Sequence, residues 1–371
     1  MPAPQAMEHP AAPDLLRTGG WVNSEPFTLD EMQEEGKVVL IDFWTYTCIN
    51  CIRTLPYLRD WHEKYADHGL VILGVHTPEF AFEHEYDNVV EAVGKFELEY
   101  PIVQDNEFGT WRAFNNRYWP AKYLIDHNGN IRYMHFGEGA YDETEMKIRD
   151  ILTEAGFDVS SVAAGSDPGP ARAEGSRVAT IEESQTRELY AGYERNYGAL
   201  MAQQVPPYVR HVEYYEAPDA RVMYEDPGEY INHFLYLNGL WLNTLESIVH
   251  ARETEDYEDY IALKFYGTSV NVVMSPESHG EGEEGGVPGE PYQVRIYLDD
   301  GPVPEEQAGK DIMYDSEGNS FVNVDESRMY FLVNKEEFGG GELRLTSNSP
   351  DFTVFAFTFG SYEGGEPGRN S

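Results

Sequence analysis

The sequence predicts two domains of different class: an α/β domain with a mixed central sheet and flanking helices over residues 21–156, and an all-β sandwich of jelly-roll type over residues 181–362. Three observations carry this. Between residues 21 and 156, runs of buried-strand type alternate with stretches of helical spacing, and a tight hairpin follows. Residues 160–175 (SSVAAGSDPGPARAEG) are rich in Ser, Gly, Ala and Pro, which places a linker at 157–180. Beyond it, short strand-like runs are separated by turn-rich segments, and little helical periodicity remains. With 371 residues and 41% apolar content, each part has enough chain to bury its own core.

The elements follow in order. Residues 1–20 are rich in Pro and Ala and are expected to form a flexible lead-in. Residues 37–44 (KVVLIDFW) are an apolar, β-branched run of buried-strand type. Residues 53–68 have helical spacing, with Leu55, Leu58, Trp61 and Tyr65 on one face. Residues 70–76 (LVILGVH) are a second buried strand, and residues 80–96 are expected to form one helix. A short strand at 102–103 and a short helix at 111–114 come next. Asp126-His127-Asn128-Gly129-Asn130, between strand-like runs 123–126 and 131–135, is a strong hairpin signal. Residues 144–155 close the domain as an amphipathic helix. In the second domain the strand-like runs are 230–237, 241–251, 260–265, 270–274, 292–298, 329–333, 342–345 and 352–359. Residues 275–291 (SPESHGEGEEGGVPGEP) are acidic and of low complexity, as expected of a solvated loop, and 363–371 are expected to be a flexible tail.

The charge balance is extreme. Acidic residues number 66 against 26 basic ones, a net charge of −40, and the basic set is 8 Lys to 18 Arg. Such a surface repels itself in dilute buffer and is screened by concentrated salt, so adaptation to a saline, halophilic setting is expected. The acids are spread along the chain rather than gathered into one run, which argues against a local acidic interaction patch. Binding to nucleic acid or to an anionic membrane is not expected on the same ground, because the phosphate-neutralising charge is missing. No 18-residue apolar run, no signal-peptide core and no N-terminal Cys for lipid attachment are present. A soluble, cytoplasmic chain is therefore expected, with an extracytoplasmic setting left open.

Chemistry concentrates in the only two cysteines, Cys48 and Cys51. Thiols so spaced fit the first turn of a helix directly after a buried strand. The unpaired N–H groups at a helix N-terminus carry partial positive charge, which stabilises a thiolate at Cys48. Cys48 is then the nucleophile toward a substrate disulfide, and Cys51 the resolving thiol that releases the reduced substrate. The rival meaning of a CxxC pair is half of a zinc site. No second Cys pair exists, and His62, His68, His76 and His84 lack finger-like spacing, so no metal is expected. No His follows Cys51, which removes haem attachment. No bound cofactor is expected beyond the Cys48–Cys51 redox disulfide.

On these residues the chain resembles the thioredoxin superfamily. VVLIDFWTYTCINC is similar to its active-site strand and helix, and CINC followed by Leu55-Pro56 is similar to its TlpA-like and DipZ-like branch. The resemblance implies a thioredoxin fold for residues 21–156 and a set of roles. Asp42 falls where thioredoxins keep a buried acid behind the second Cys, able to take the proton of Cys51. Pro56 matches the proline that bends the active-site helix, a structural role. Pro120, after Tyr118-Trp119, matches the cis-proline that sets backbone beside the Cys pair to meet a substrate strand. Trp119 is expected to shape that contact, and Tyr46 and Thr47, with Trp44, to line the approach to Cys48. Glu79, in HTPEF, matches an active-site Glu of TlpA-like reductases. Residues 184–198 (SQTRELYAGYERNYG) resemble the opening of the C-terminal domain of DipZ-like proteins, and NVVMSPE, VRIYLDDGPVP, RMYFLV and FAFTFG resemble its strands. In those relatives that domain is a jelly roll resembling carbohydrate-binding modules.

The function expected is thiol–disulfide exchange with protein disulfides, fed by an electron donor of thioredoxin-reductase-like or CcdA-like kind. Two alternatives remain. One is a glycan- or protein-binding module with a redox-sensitive Cys pair; the second domain is rich in Tyr but has one Trp, Trp241. The other is a thiol peroxidase, which HTPEF and Thr45, three residues before Cys48, would suit. Peroxidases also want a Pro where this chain has Ile41.

Overall fold

Seven consecutive buried residues, Val38–Trp44, form β2, the strand that organises the first half of the protein in this computed structural model. The structure describes residues 9–165, 173, 176, 180–202, 206–276 and 289–363. They belong to two compact units, 1–168 and 169–371.

The first unit contains β1 (Trp21–Val22), α1 (Leu29–Glu34), β2, α2 (Ile49–Ile52), α3 (Leu55–Tyr65), β3 (Leu70–His76), α4 (Tyr86–Lys95), β4 (Ile102–Gln104), α5 (Gly109–Ala113), β5 (Ala121–Ile125), β6 (Ile131–Phe136) and α6 (Tyr141–Glu154). The six strands lie in the order β1-β4-β3-β2-β5-β6. β2, β3 and β4 run parallel, while β1, β5 and β6 are antiparallel to their neighbours. This mixed sheet with flanking helices is the thioredoxin fold. β2 is buried on both faces because both are covered, and apolar except at Asp42. One side packs Val39, Ile41 and Phe43 against Phe114, Tyr123 and Val103. On the other, α3 and α6 meet through stacked Tyr57 and Tyr141 rings 3.5 Å apart. The hairpin forms as expected: Asp126 Oδ1 accepts from the N–H groups of Asn128 and Asn130.

Three expectations change. Residues 9–20 are not a loose lead-in. Pro10 O accepts from Ile131 N–H, Ala12 N–H donates to Gly129 O, Thr110 Oγ1 bonds both N–H and O of Leu16, and Gly19 N–H donates to Gln104 O. The segment is held along the sheet because it satisfies backbone groups there; residues 1–8 lie outside the described set. The first part of the proposed linker belongs to the first unit. Arg149 donates to the carbonyls of Val159 and Val162, Gly165 N–H donates to Glu145, and Phe157 fills the space beside Gly69, whose positive φ of 89° excludes a side chain. Finally, residues 80–96 do not form one helix. A 3-10 turn (Ala81–His84) is separated from α4 by extended Glu85, because the side chain of Glu83 folds back onto the N–H groups of Glu79 and Phe80.

Among the described residues, the second unit is mostly β with two α-helical additions, α7 (Tyr193–Ala202) and α8 (Val212–Glu216), which the sequence reading did not separate from strand texture. Its strands are β7 (Leu189–Tyr190), β8 (Arg221–Tyr224), β9 (Leu235–Asn243), β10 (Ile248–His250), β11 (Tyr260–Ser275), β12 (Tyr292–Leu298), β13 (Gly301–Pro302), β14 (Met313–Tyr314), β15 (Ser320–Val324), β16 (Arg328–Thr346) and β17 (Thr353–Gly360). Runs 260–265 and 270–274 are one long strand, β11, and runs 329–333 and 342–345 are one long strand, β16. The first half of β11 pairs β9 and its second half pairs β17, with β16 alongside throughout. The register breaks between Gly267 and Ser269, where a Cβ on Gly267 would sit 2.8 Å from Gly360 O. Long bent strands that change partner fold such a sheet onto itself as a β-sandwich. Its core takes Leu237, Trp241, Phe265, Val272, Phe352 and Phe357. The tyrosines partly serve that core: Tyr214 and Tyr330 are fully buried, and Tyr214 OH donates to Ala191 O. Most of the acidic segment 275–291 and of the tail 363–371 lies outside the described residues.

Candidate active site

β2 delivers the chain into the turn Thr45–Thr47, and Cys48 is the N-cap of α2. Its Sγ accepts the N–H of Cys51 at 3.3 Å, so the two cysteines close one helical turn. Both are free thiols. Cys48 keeps 8% exposure and Cys51 none. Burial first, and then the neighbouring Cys48, push the Cys51 thiol well above its ordinary range. α2 ends at Ile52 and α3 restarts at Leu55, with Pro56 in its first turn, so the bend expected around Pro56 falls between two helical segments. Just past Cys51, Arg53 is 3% exposed, donates to Asn50 Oδ1 at 3.1 Å and approaches Glu138 at 3.5 Å.

Asp42 lies in the middle of β2 at 1% exposure. In register beside it are Gly74 on β3 and Lys122 on β5. Lys122 Nζ stands 3.3 Å from Asp42 Oδ1 and is itself fully buried. Burial raises the Asp42 carboxyl above its ordinary range although Lys122 pulls the other way. Lys122 carries no motif signal; only the β2–β5 register reveals it.

The Trp119–Pro120 peptide is cis. It stands just beyond the Phe43–Ala121 pair of the β2–β5 ladder, at the end of β2 that feeds the Cys turn. Trp119 is half-buried, donates from Nε1 to Thr77 O at 3.1 Å and packs its ring 4.3 Å from that of Trp111. Tyr46 and Thr47, expected on the approach to Cys48, are instead buried, at 4% and 2% exposure, as is Trp44. Tyr46 stacks on His76, ring centroids 5.6 Å apart, and Thr45 Oγ1 lies 3.3 Å from His76 Nε2. Burial depresses His76 to about 3, so the ring is neutral.

Glu79 is half-buried; its backbone N–H donates to Glu83. The acid that the fold brings to the Cys turn is Glu83. It is fully buried, and its Oε1 accepts from Thr47 Oγ1 at 2.6 Å and Thr47 N–H at 3.3 Å. The sequence reading missed it, although a second Glu four residues after Glu79 was visible there. Among the described residues, no group of three or more His, Cys, Asp and Glu side chains is placed to hold a metal ion.

A buried dithiol turn at the end of a central strand, an acid behind it and a cis-proline beside it define the first domain as a thioredoxin-like domain of the kind that thiol–disulfide oxidoreductases carry. Comparison of the sequence with known families and proteins agrees with a thioredoxin-like first domain. A model of the AhpC/TSA family matches residues 10–134, and one described as a thioredoxin-like C-terminal domain matches residues 186–360. Protein DipZ of Mycobacterium bovis is 48% identical over 147 residues, which are 39% of this chain and 21% of DipZ. The thiol–disulfide oxidoreductase YkuV of Bacillus subtilis is 28% identical over 142 residues, 38% of this chain and 94% of YkuV. This chain thus spans about a fifth of the length of its DipZ relatives. Among solved structures, a crystal structure of a putative thiol:disulfide interchange protein DsbE from Chlorobium tepidum is 23% identical, covering 39% of this chain and 96% of that one, with a TM-score of 0.35.

Proposed function

We propose that the protein exchanges two electrons and two protons between the Cys48–Cys51 pair and disulfides of client proteins. The observation that carries this is the contrast within one turn: Cys48 caps the helix and keeps 8% exposure, while Cys51 behind it has none. Cys48 thiolate attacks a client disulfide; a Cys48–client S–S bond forms, the client S–S bond breaks, and one client thiolate leaves. Cys51 then gives its proton to the Asp42 carboxylate and attacks Cys48 Sγ, closing the protein disulfide and expelling the second client thiolate. A thiol pushed up by burial needs such a base, and Asp42, itself raised by burial, suits it. The backbone at Trp119 and Pro120 supplies the edge on which an extended client segment pairs, and Glu79, in the segment after β3, is tied by its N–H to Glu83. No bound cofactor enters the reaction, and the dithiol is regenerated by a partner dithiol protein or reductase. The second domain is read as a docking module for clients or glycans. Half-buried Tyr260 and Tyr297 beside Arg344 on its strands support that reading.

The test is trapping. Cys51→Ala accumulates mixed disulfides with client proteins, and Cys48→Ala does not. A Cys51→Ala variant that turns over normally replaces this scheme by a monothiol one. The AhpC/TSA match favours one further reading, a thiol peroxidase. Peroxide consumption by the dithiol, absent in Cys48→Ala, would support it; no consumption is expected, because Thr45 is engaged with His76 below the turn.

A further inference from the structure

We infer that Tyr118, Met134 and Phe136, with Arg117 at their rim, form a face that selects client segments carrying a bulky apolar side chain next to a carboxylate. This rests on the exchange reaction proposed above and names the class of client that the reaction serves.

The sheet brings these side chains together. Phe43, Ala121 and Phe136 lie opposite one another on β2, β5 and β6, at the end where β2 enters the Cys turn. Ile41, Tyr123 and Met134 form the next row on the same face. Gly137 N–H donates to Pro120 O at 2.8 Å, which fixes the end of β6 beside the cis peptide. Tyr118, two residues before Pro120, holds its ring 5.3 Å from that of Phe136. Aromatic contacts therefore run unbroken from core to surface, from Phe43 to Tyr123 at 5.7 Å, from Tyr123 to Phe136 at 5.9 Å, and on to Tyr118.

Burial falls away along that series. Phe43 has no exposure, whereas Phe136 keeps 45%, Met134 50% and Tyr118 55%. β6 is the last strand of the sheet, and the N-terminal segment meets it at its other end, through Pro10 O and Ile131 N–H. Large apolar side chains gathered in solvent mark a surface that gains by being covered. The occupant is a client segment, because the face is continuous with the edge at Trp119 and Pro120 on which the client pairs. β2 and β6 are two strand spacings apart, about 10 Å, which about three residues of extended chain cover. A segment paired at that edge thus carries a neighbouring side chain onto Phe136.

Charge narrows the choice further. Arg117, next to Tyr118, is exposed and joins no ion pair among the described residues. Arg132, on the same β6, is by contrast shared between Asp126 and Glu154. In a chain with 66 acidic residues against 26 basic ones, a cation left over at this point is free to meet a ligand. A client carboxylate beside the apolar side chain supplies its partner, and it does so where the surrounding net charge otherwise repels acidic clients.

The test uses the full chain and one peptide frame. Reduced protein is mixed with disulfide-linked peptides whose Cys is followed, within about three residues, by Phe-Asp, Ser-Asp or Phe-Asn. Reduction is followed by stopped flow in about 0.5 M KCl, where long-range repulsion from the net charge of −40 is screened. Each rate constant is divided by that for hydroxyethyl disulfide, so that effects at the thiols cancel. Binding is read separately, by fluorescence anisotropy of the same peptides with Ser in place of Cys. Wild type should favour Phe-Asp over Ser-Asp about tenfold in both readouts, the size of one well-covered aromatic anchor. Phe136→Ser and Tyr118→Ser should each reduce that preference to about twofold. Arg117→Gln should keep it and lose only the preference for Phe-Asp over Phe-Asn, about twofold for an exposed ion pair. A wild type that treats Phe and Ser alike overturns the inference, as does a preference unmoved in Phe136→Ser. If that variant does not fold, an unmoved preference in Tyr118→Ser overturns it equally. A Phe136→Ser effect confined to dissociation of a dimer gives the face to a second copy of the chain and also overturns it. Failure of the exchange reaction shows differently: the Ser-substituted peptides keep their binding preference while no peptide disulfide is reduced.

Discussion

His76 should make the first domain lose stability in mild acid by a predictable amount. The ring is sealed between Tyr46, Trp44 and the hydroxyl of Thr45, with no exposure, and burial depresses it to about 3. An unfolded His takes its proton near pH 6.5. The folded state therefore binds fewer protons than the unfolded one between these values. Its contribution is present above about pH 6.5 and is lost progressively as pH falls toward about 3. From pH 7 to pH 5 the unfolded ring becomes almost fully protonated, and linkage puts the loss at about 2 kcal/mol. His76→Gln keeps a polar partner for Thr45 and removes the titration. The assay is urea unfolding of both proteins at pH 7 and pH 5 in constant high salt, followed by Trp fluorescence. Five of the six Trp residues (Trp21, Trp44, Trp61, Trp111 and Trp119) lie in the first domain, so the signal reports that domain. The wild type should lose about 2 kcal/mol more than the variant between the two pH values. Equal losses in the two proteins would refute the reasoning, because the ring would then be titrating alike in both states.

Other expected outcomes follow from the same structure. Asp42→Ala leaves the Lys122 ammonium buried without a counter-charge and should cost ~3–5 kcal/mol in urea unfolding, with Lys122→Met recovering part of it in the double variant. Strict additivity of the two single changes would show that the pair is not coupled. Asp42→Asn should slow resolution of the mixed disulfide while leaving its formation nearly intact, read by single-turnover quench between pH 6 and 8. The net charge of −40 should make the melting temperature rise from 0.1 to 3 M KCl, because the Debye length falls from about 10 Å to about 3 Å by 1 M. A flat profile across that range removes the saline interpretation of the acidic surface.

Local patterns were legible wherever one strand or turn carries its own signal. Residues 37–44 and 70–76 are apolar on both faces, so they had to be central strands, and their apolar continuity survives in β2 and β3. Cys48 and Cys51 are three residues apart, which only a helical turn converts into contact, and the Cys51 N–H to Cys48 Sγ bond is that contact. Length was harder. The interruptions at residues 266–269 and 334–341 look like turns in a linear reading, because Gly and charged residues break the apolar run. In the sandwich they are bends within β11 and β16, held by backbone bonds to strands distant in sequence.

The sequence alone determined the class of the first domain, the identity of its redox pair and the proline beside it, because each is a short-range pattern of residue type and spacing. Only the tertiary structure decided what surrounds that pair. Lys122 meets Asp42 through cross-strand register 80 residues away, Glu83 reaches Thr47 from 36 residues further along the chain, and Tyr46 and Thr47 are buried rather than lining an open approach. A buried charge is placed by whatever the fold brings against it. Burial decides its protonation, and burial is a property of the packed sheet and its flanking helices rather than of any local run of residues.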